Sequence, residues 1–254
     1  MGLLENKVII VTGASSGIGR AASLLFADHG AALVLVARRA ELLEEIVHEI
    51  QRVGGRAIAC AGDVTREETH RRAVEAATGN FGRLDGAFNN AGAVGRMAPL
   101  ARLETADWKA ILETNLTSAF LSARAQVRAM LDSGGGSLVF TSSFVGNSVG
   151  LPGMGAYGAA KAGLGGLAKA LAADYAHRGI RANILLAGGT DTPAAGTEEQ
   201  KAWAASIHPV RRIARPEEIA SAALFLLSDL STFVVGSGLW ADGGNSATKV
   251  QAVD

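Results

Sequence analysis

The sequence predicts an α/β fold in which one doubly wound parallel sheet carries helices on both faces. Two observations support this prediction. Short aliphatic or β-branched runs alternate along the chain with longer segments of helical period, and no linker, low-complexity tract or charge run divides the chain. Because crossovers between parallel strands are right-handed, repeated βαβ units place their helices on both sides of one sheet. We therefore expect residues 1–254 to form a single domain.

The first half of the chain contains three repeats of a strand followed by a helix, and then a fourth strand. Aliphatic runs predict strands at 8–11, 33–36, 57–61 and 84–89, and helical periods predict helices at 17–29, 41–53 and 66–78. Gly30 and the Gly54-Gly55 pair follow the first two helices, where glycine commonly ends a helix. The second run is apolar at every position, as expected for a strand that is buried on both faces.

The second half continues the alternation. Its predicted elements are a long helix at 107–131 with Asp107 as the N-cap, a strand at 137–141, a helix at 156–178, a strand at 181–186, a helix opened by Pro216 and a strand at 239–241. The stretch 188–215 is the least regular. We interpret it as a substrate lid, with a poorly ordered surface segment as the alternative.

The composition is typical of a compact chain. Hydrophobic residues make up 48% of the 254 residues and charged residues 19%, which allows a large core. Lysine and arginine (24) balance aspartate and glutamate (24), so charge gives no argument for a nucleic-acid or anionic-membrane partner. No apolar stretch reaches the roughly 18 to 20 residues of a membrane span, and the N-terminus lacks a signal-peptide pattern. We expect a cytoplasmic protein.

Cysteine and histidine give no indication of a metal site. Cys60 is the only cysteine, so the chain can form neither an intrachain disulfide nor a cysteine cluster, and we interpret Cys60 as a buried strand residue. The histidines, at positions 29, 48, 70, 177 and 208, show no ligand spacing. We interpret His208 as a surface histidine, the alternative being a residue that contacts substrate.

A glycine-rich loop follows the first strand directly and opens the first helix. The residues of this loop expected to bind a cofactor are Gly13, Ser15, Ser16, Gly17, Ile18 and Gly19. Glycines at such a turn let the backbone approach a ligand, and the helix N-terminus presents free N–H groups to a pyrophosphate. This context favours dinucleotide binding in a Rossmann-type fold over a merely tight turn.

The end of the second strand indicates which dinucleotide is bound. An acidic residue there would bind the 2′-hydroxyl of NAD, but the chain has Ala37 followed by Arg38 and Arg39. A guanidinium can pair with the 2′-phosphate of NADP. We therefore predict NADP rather than NAD, with Arg38 the more important arginine; the alternative is that both arginines are solvated surface charges.

With this loop in place, the chain resembles the short-chain dehydrogenase/reductase family over essentially its full length. The matching motifs are Thr12 to Gly19, Gly62-Asp63-Val64, Asn89-Asn90-Ala91-Gly92, Asn115, Ser143, Tyr157 with Lys161, and Ala187 to Thr192. The resemblance implies that Asp63 and Val64 contact the adenine ring. It also assigns the adenosine side of the cofactor to Asn90, Ala91 and Gly92, and the nicotinamide end to Gly188, Thr190 and Thr192.

The chain departs from the family pattern at two places. Ala187-Gly188 stands where the family usually has Pro-Gly, a change expected to loosen the loop beside the nicotinamide. The active-site serine commonly stands 13 residues before the tyrosine, whereas Ser143 stands 14 before Tyr157 (157 − 143). Phe144 offers no hydroxyl, so Ser143 is the expected serine and Ser142 the weaker candidate.

Tyr157 and Lys161 form the centre of the predicted chemistry. They lie four residues apart in a predicted helix and so share one face. A phenol with a pKa near 10 needs roughly 4 kcal/mol of differential stabilisation to titrate near pH 7, which the Lys161 ammonium and a cationic nicotinamide together could supply. Ser143 would orient the substrate oxygen, and the resemblance implies that Asn115 holds a water that links Lys161 to solvent.

The sequence therefore predicts an NADP(H)-dependent enzyme that reduces a small ketone or oxidises the matching secondary alcohol. One alternative is a 3-oxoacyl-(acyl-carrier-protein) reductase, with a basic docking surface drawn from Arg124, Arg128, Arg211 and Arg212. Another is a non-catalytic nucleotide-binding regulator. The resemblance also implies a homotetramer, with the Tyr157 helix and the last strand at the interfaces.

Overall fold

Seven parallel strands form one sheet in the computed structural model, which describes residues 2–248. In chain order, the strands β1 to β7 are Val8–Thr12, Ala32–Ala37, Arg56–Ala61, Gly86–Asn89, Gly136–Ser143, Ile180–Ala187 and Gly238–Ala241. Their spatial order is β3-β2-β1-β4-β5-β6-β7, and each neighbouring pair is parallel. The predicted doubly wound α/β fold is confirmed.

Helices cover both faces of the sheet. Within the described residues the helices α1 to α8 are Gly17–Asp28, Ala40–Arg52, Glu67–Phe81, Thr105–Leu112, Ser118–Asp132, Gly155–Tyr175, Glu198–Ser206 and Pro216–Leu227. Because side chains alternate along a strand, Ile9 and Val11 of β1 pack with α1, α2 and α8, whereas Val8 and Ile10 pack with α3, α5 and α6. Burial on both faces explains why these strands are apolar at successive positions.

The order of the strands reverses between β1 and β4, and the two strand ends meet there. The Thr12 hydroxyl accepts the backbone N–H groups of Asn90 and Ala91, each at 3.0 Å. The Thr141 hydroxyl at the end of β5 donates to the Asn90 side-chain oxygen at 3.1 Å. Such a reversal opens a crevice at the carboxyl edge of a parallel sheet, so the fold itself places a binding site beside these residues.

The long helix predicted at 107–131 is divided into three parts. α4 ends at Leu112, one π-helical turn spans Glu113–Thr117, and α5 begins at Ser118. The predicted N-cap, Asp107, is wrong: Glu104 occupies that position, and Asp107 lies in the first turn of α4, where it pairs with Arg96 at 3.1 Å.

The 188–215 segment is more regular than predicted. It contains a 3₁₀ turn at Pro193–Ala195 and the helix α7. α7 begins with a capping box, in which the Thr197 hydroxyl accepts the N–H of Gln200 at 3.3 Å and the Gln200 side chain accepts the N–H of Thr197 at 2.8 Å. The N-terminus of α7 is therefore capped by residues of the helix itself.

Two further expectations concern membranes and metals. Of the helices within residues 2–248, none combines the length and the apolar character that a bilayer crossing requires. In the same residues, no three His, Cys, Asp or Glu side chains are grouped so as to hold a metal ion. Cys60 is buried in β3, as predicted.

Candidate active site

A cleft of about 580 Å³ opens at the carboxyl ends of the strands. It gathers nearly all the residues that the sequence predicts for cofactor binding and catalysis. Those that line it are Gly13, Ser15, Ser16, Gly17, Ile18, Arg38, Arg39, Asp63, Val64, Asn90, Ala91, Gly92, Ser143, Tyr157, Lys161, Gly188, Thr190 and Thr192. Gly19 and Asn115 contact residues of this lining from behind.

The glycine-rich loop has a backbone that only glycine adopts readily. Gly13 and Gly17 have positive φ angles of 69° and 53°. A Cβ atom at Gly19 would lie 2.2 Å from the Gly13 carbonyl oxygen, so α1 can begin this close to the loop only without a side chain there. The first turn of α1 lines the cleft, and its N–H groups and positive dipole end suit an anion. The loop therefore fits the pyrophosphate of a dinucleotide.

The two arginines after β2 lie at one end of the cleft in different surroundings. The Arg39 guanidinium donates to the hydroxyls of Ser15 and Ser16 at 3.0 and 3.4 Å. Arg38 is exposed, and its charge contributes to a lowered pKa of Asp63, whose main cause is the N–H of Thr65 donating to the carboxylate. Both guanidinium groups are thus within reach of an anion bound beside the loop, and Arg39 already contacts the loop itself.

A buried histidine that sequence reasoning passed over supports the expected adenine side. The His70 ring contacts the Val64 carbonyl oxygen at 2.7 Å through Nε2 and the Ser122 hydroxyl at 3.0 Å through Nδ1. Burial lowers the pKa of His70, which keeps the ring neutral at physiological pH. His70 therefore fixes the backbone of Val64 against α5, a contact between residues 52 positions apart that has no local sequence signal.

Tyr157 and Lys161 lie on one face of α6, as predicted. The Lys161 Nζ atom is 5.6 Å from the centre of the Tyr157 ring and donates to the Thr141 carbonyl oxygen at 2.7 Å. Burial lowers the pKa of Lys161 to about 8. Burial also raises the pKa of the Tyr157 phenol, and its hydrogen bond with Ser143 acts in the opposite direction. The protein environment by itself therefore opposes the phenolate, so positive charge at the site has to overcome the desolvation.

Asn115 lies in the π-helical turn, and its side chain supports the backbone of the cleft lining next to Lys161. Its side-chain nitrogen donates to the carbonyl oxygens of Ala93 and Ile111 at 2.8 and 2.9 Å, and its side-chain oxygen accepts the Ala93 N–H at 3.2 Å. A Cβ atom on Gly92 would lie 2.7 Å from that oxygen and 3.1 Å from the Lys161 Nζ. Glycine at position 92 therefore leaves room for both the amide and the ammonium.

The two serines at the end of β5 differ in how their hydroxyls are used. The Ser142 hydroxyl donates to the Lys161 carbonyl oxygen at 2.8 Å and accepts from the Asn147 amide at 3.0 Å. The Ser143 hydroxyl accepts the N–H of Val145 at 3.1 Å, which leaves its own hydrogen free to be donated. The geometry favours Ser143 as the residue that contacts a substrate oxygen.

The part of the cleft beyond Ser143 and Tyr157 is walled by apolar side chains. They are Val94, Phe144, Leu151, Met154, Trp203 and Ile207. Trp203 is 52% exposed and forms part of the cleft wall. Lys161 is the charged side chain of the lining beside Tyr157, whereas Arg38, Arg39 and Asp63 lie at the opposite, adenine end.

The prediction that His208 is a surface histidine is wrong. Its ring is 2% exposed and packs edge-on against the Phe144 ring, with centroids 5.7 Å apart. The misleading signal is the sequence around it, since the neighbouring Arg211 and Arg212 are both exposed. Burial of His208 depends on a contact with the end of β5, which the local sequence does not reveal.

Comparisons with known proteins agree with this geometry. A family model described as "Enoyl-(Acyl carrier protein) reductase" matches residues 13–246. The chain is 40% identical over 239 residues to a cyclohexanol dehydrogenase of Acinetobacter sp. (strain SE19), covering 94% of each protein. It is 38% identical to the 3-oxoacyl-(acyl-carrier-protein) reductase FabG of Thermotoga maritima, covering 95% of this chain and 98% of that protein. A crystal structure of a short-chain type dehydrogenase/reductase from Mycobacterium marinum superposes with a TM-score of 0.91 at 33% identity, covering 96% of this chain and 97% of that chain.

Proposed function

The chain belongs to the short-chain dehydrogenase/reductase family, and we propose that it transfers a hydride between NADP(H) and a ketone or secondary alcohol. Its membership makes it an oxidoreductase of alcohols and ketones. The observation that carries the narrower proposal is the position of Tyr157 in the cleft, where its phenol forms a hydrogen bond with Ser143 and its ring centre lies 5.6 Å from the Lys161 Nζ atom.

In the reducing direction, Tyr157 is the general acid. A reduced nicotinamide bound at the Gly188, Thr190 and Thr192 end of the cleft would supply the hydride for the new C–H bond. As the carbonyl oxygen gains negative charge, the Tyr157 O–H donates its proton to that oxygen, and the Ser143 O–H donates a hydrogen bond to the same atom. The reverse direction uses the phenolate as the base that accepts the alcohol proton. Ser143 thus positions the oxygen, and Tyr157 moves the proton.

Lys161 is proposed to stabilise the phenolate electrostatically. Its pKa of about 8 means that the buried amine still carries its proton at neutral pH. One N–H is held by the Thr141 carbonyl, which fixes the ammonium about one helical turn from the phenol. The proposed water beside Asn115 would return a proton to Tyr157 through Lys161. Both N–H groups of the Asn115 amide donate to main-chain carbonyls. The amide nitrogen therefore cannot donate to this water, and the water would have to donate its own hydrogen to an oxygen atom.

The choice of NADP rests on charge at the adenine end of the cleft. Ala37 provides no carboxylate for a ribose 2′-hydroxyl, and two guanidinium groups follow it. Arg39 already donates to the loop serines, so we assign the 2′-phosphate mainly to Arg38. A charge-assisted bond from a guanidinium to a phosphate supports this assignment chemically.

The walls of the cleft favour a small, uncharged substrate with an apolar body. The six apolar side chains around Ser143 and Tyr157 offer no partner to a carboxylate or phosphate, and burying either group unpaired would be unfavourable. A cyclic ketone fits these walls, and the similarity to a cyclohexanol dehydrogenase points the same way.

The alternative acyl-carrier-protein reductase has support from the similarity to FabG but not from the docking arginines. Arg124 pairs with Glu67, and Arg212 pairs with Glu218 at 2.7 Å. Arg124 lies on α5 and Arg212 precedes α8, so the two belong to opposite faces of the sheet. They do not form one basic surface. The regulator alternative is disfavoured by the intact arrangement of Ser143, Tyr157 and Lys161.

A homotetramer in the cytoplasm remains our proposal for the assembled protein. Large apolar side chains are exposed on α5 (Phe120, 47%) and around β7 (Phe233, 102%; Trp240, 43%). Exposed aromatic residues of this kind commonly mark interfaces between subunits. Light scattering coupled to size-exclusion chromatography would measure the mass of the assembly.

The experiment that tests the function is NADPH oxidation, followed by absorbance, with a panel of cyclic and linear ketones. Tyr157→Phe should lower kcat at least 10²-fold, the lower range for a general acid, and leave the Kd for NADPH within about threefold. Tyr175→Phe, which changes the tyrosine at the other end of α6, is the matched control and should keep full turnover. Loss of folding in Tyr157→Phe, or unchanged turnover, would remove Tyr157 from the mechanism.

A further inference from the structure

His208 makes two hydrogen bonds that require one particular form of its ring. Its Nδ1 atom lies 2.6 Å from the Ala204 carbonyl oxygen, and its Nε2 atom lies 3.0 Å from the backbone nitrogen of Gly189. A carbonyl can only accept and an N–H can only donate, so Nδ1 carries the hydrogen and Nε2 carries the lone pair. The ring is therefore neutral and in a single tautomer.

The ring also fills the space that side chains would occupy at the loop after β6. A Cβ atom on Gly188 would lie 2.8 Å from His208 Nε2, and one on Gly189 would lie 3.1 Å from its Cε1. On another side, the ring meets Phe144 at an interplanar angle of 75°. Phe144 directly follows Ser143, so His208 is enclosed by the two loops that border the reactive end of the cleft.

The Gly189 peptide is held on both sides by groups outside its own loop. Its N–H donates to His208, and its carbonyl oxygen accepts the N–H of Ala214 at 2.8 Å. Thr190, which lines the cleft, follows immediately. Ala204 belongs to α7, the helix that carries Trp203 and is followed by Ile207. One imidazole thus connects the backbone of the cofactor loop to the helix that walls the substrate side.

We propose that His208 is a positioning residue that couples α7 to the 188–190 loop. The coupling holds the apolar wall of the substrate side at a fixed position relative to the nicotinamide end of the cleft. The proposal rests on the proposed function, because it assigns the loop to the nicotinamide and the wall to the ketone. His208 also lines the cleft, but main-chain groups occupy both of its ring nitrogens, so we assign it no proton transfer. It acts through Gly189 on one side and through Ala204 on the other.

Loss of this connection should raise the KM for the ketone more than it lowers kcat. The proton donor Tyr157 stands on α6, to which His208 makes neither of its ring hydrogen bonds, whereas removal of the ring should displace both the wall and the loop. We expect His208→Ala and His208→Asn to raise the ketone KM about 10- to 100-fold, the scale of a roughly 1 Å misplacement. The Kd for NADPH should change less than about threefold, because the glycine-rich loop and the arginines lie at the other end of the cleft.

Rescue by a conservative variant separates positioning from general stability. The side-chain oxygen of His208→Gln can reach the position of Nε2 and accept the Gly189 N–H, whereas asparagine is too short. Glutamine should therefore restore the ketone KM to within about fivefold of the wild type. Ser137→Ala is the matched control for loss of a buried polar contact, since Ser137, at the start of β5 and outside the cleft, is also 2% exposed and its hydroxyl donates to the Leu226 carbonyl oxygen. It should lower the Tm without a rise in the ketone KM.

Two results would overturn the proposal. One is a ketone KM within twofold of the wild type in His208→Ala and His208→Asn. The other is an equal loss of kcat and Tm in all three His208 variants with no rescue by glutamine, which would indicate a structural role only.

A wild-type protein that turns over no ketone would contradict the proposed function instead. Hydrogen exchange at the Gly189 amide then tests the coupling without turnover. Protection should persist in wild type and His208→Gln and be lost in His208→Asn, and equal protection in all three proteins would contradict the coupling.

Discussion

Replacing Lys161 with methionine removes a positive charge that the fold buries. The Lys161 side chain is 4% exposed, and its Nζ atom donates to a single main-chain carbonyl, that of Thr141. Methionine is similar in length and unbranched and carries no charge. The substitution should abolish turnover if the ammonium stabilises the phenolate, and we expect it to stabilise the ligand-free protein as well.

The magnitude follows from the pKa of the amine. Burial lowers the pKa of Lys161 from 10.5 to about 8, and at about 1.36 kcal/mol per pH unit the buried ammonium costs about 3 kcal/mol of stability at pH 7. Losing the hydrogen bond to Thr141 costs about 1 kcal/mol in return. Lys161→Met should therefore unfold with a free energy about 2 kcal/mol larger than that of the wild type at pH 7.

The pH dependence provides the sharper test. Between pH 8 and pH 10.5 the unfolded chain holds a proton on Lys161 that the folded chain has released, so the wild type gains stability as the pH rises through this window. By pH 10 the gain is about 2.5 kcal/mol. The variant lacks this gain, and its advantage over the wild type should shrink by the same amount. Changes at other titrating groups, such as Cys60 with its raised pKa, are common to both proteins.

Urea unfolding of both ligand-free proteins at pH 7, 8, 9 and 10 measures this difference. Equal protomer concentrations are needed, because the stability of an oligomer depends on concentration. A difference between the two proteins that stays constant within about 0.5 kcal/mol over the pH range would refute the reasoning. So would a variant that is less stable than the wild type at pH 7.

Three further predictions concern the cofactor and the strand end. Arg38→Ala should raise the Kd for NADPH about 10- to 100-fold and leave the Kd for NADH nearly unchanged. Arg39→Ala should weaken the binding of both cofactors alike through the loop serines. Equal effects of Arg38→Ala on both Kd values would contradict the 2′-phosphate assignment. Gly92→Ala should lower kcat more than tenfold and the unfolding free energy by about 1 to 3 kcal/mol, as measured by turnover and urea titration. A fully active variant would show that a Cβ atom at position 92 does not disturb Asn115 and Lys161. Ser143→Ala should lower kcat about 10²-fold, whereas Ser142→Ala should mainly lower the Tm, and the reverse pattern would exchange their roles.

The strands and the glycine-rich loop were predictable because they depend on local pattern. An aliphatic run such as 8–11 is a strand in almost any parallel sheet, and the glycines after it are required by backbone angles that neighbouring residues determine. The meeting of Asn90 with Thr12 follows in the same way from the parallel order of β1 and β4.

The features that sequence reasoning missed, the π-helical turn at Asn115 and the burial of His208, depend on partners far away along the chain. The Asn115 side chain donates to the main chain of Ala93, 22 positions earlier, and this hydrogen bond stabilises the π-helical turn within the helix. His208 is buried because Phe144 and Gly189 enclose it, although the nearby Arg211 and Arg212 are exposed. Side-chain contacts of this kind are determined by tertiary packing, and composition or periodicity does not reveal them.

The π-helical turn at Glu113–Thr117 also determines how α5 is rotated about its axis relative to the sheet. One additional residue rotates the rest of a helix by about 100°, so the turn determines which face of α5 meets the sheet. That face carries Ser122, which contacts His70, and Gln126, whose amide pairs with that of Asn89. Deleting one residue would regularise the helix locally, but it would turn both side chains away from their partners. A shorter helix would therefore be better hydrogen-bonded in itself but would lose the contacts that hold Val64 and Asn89 in place.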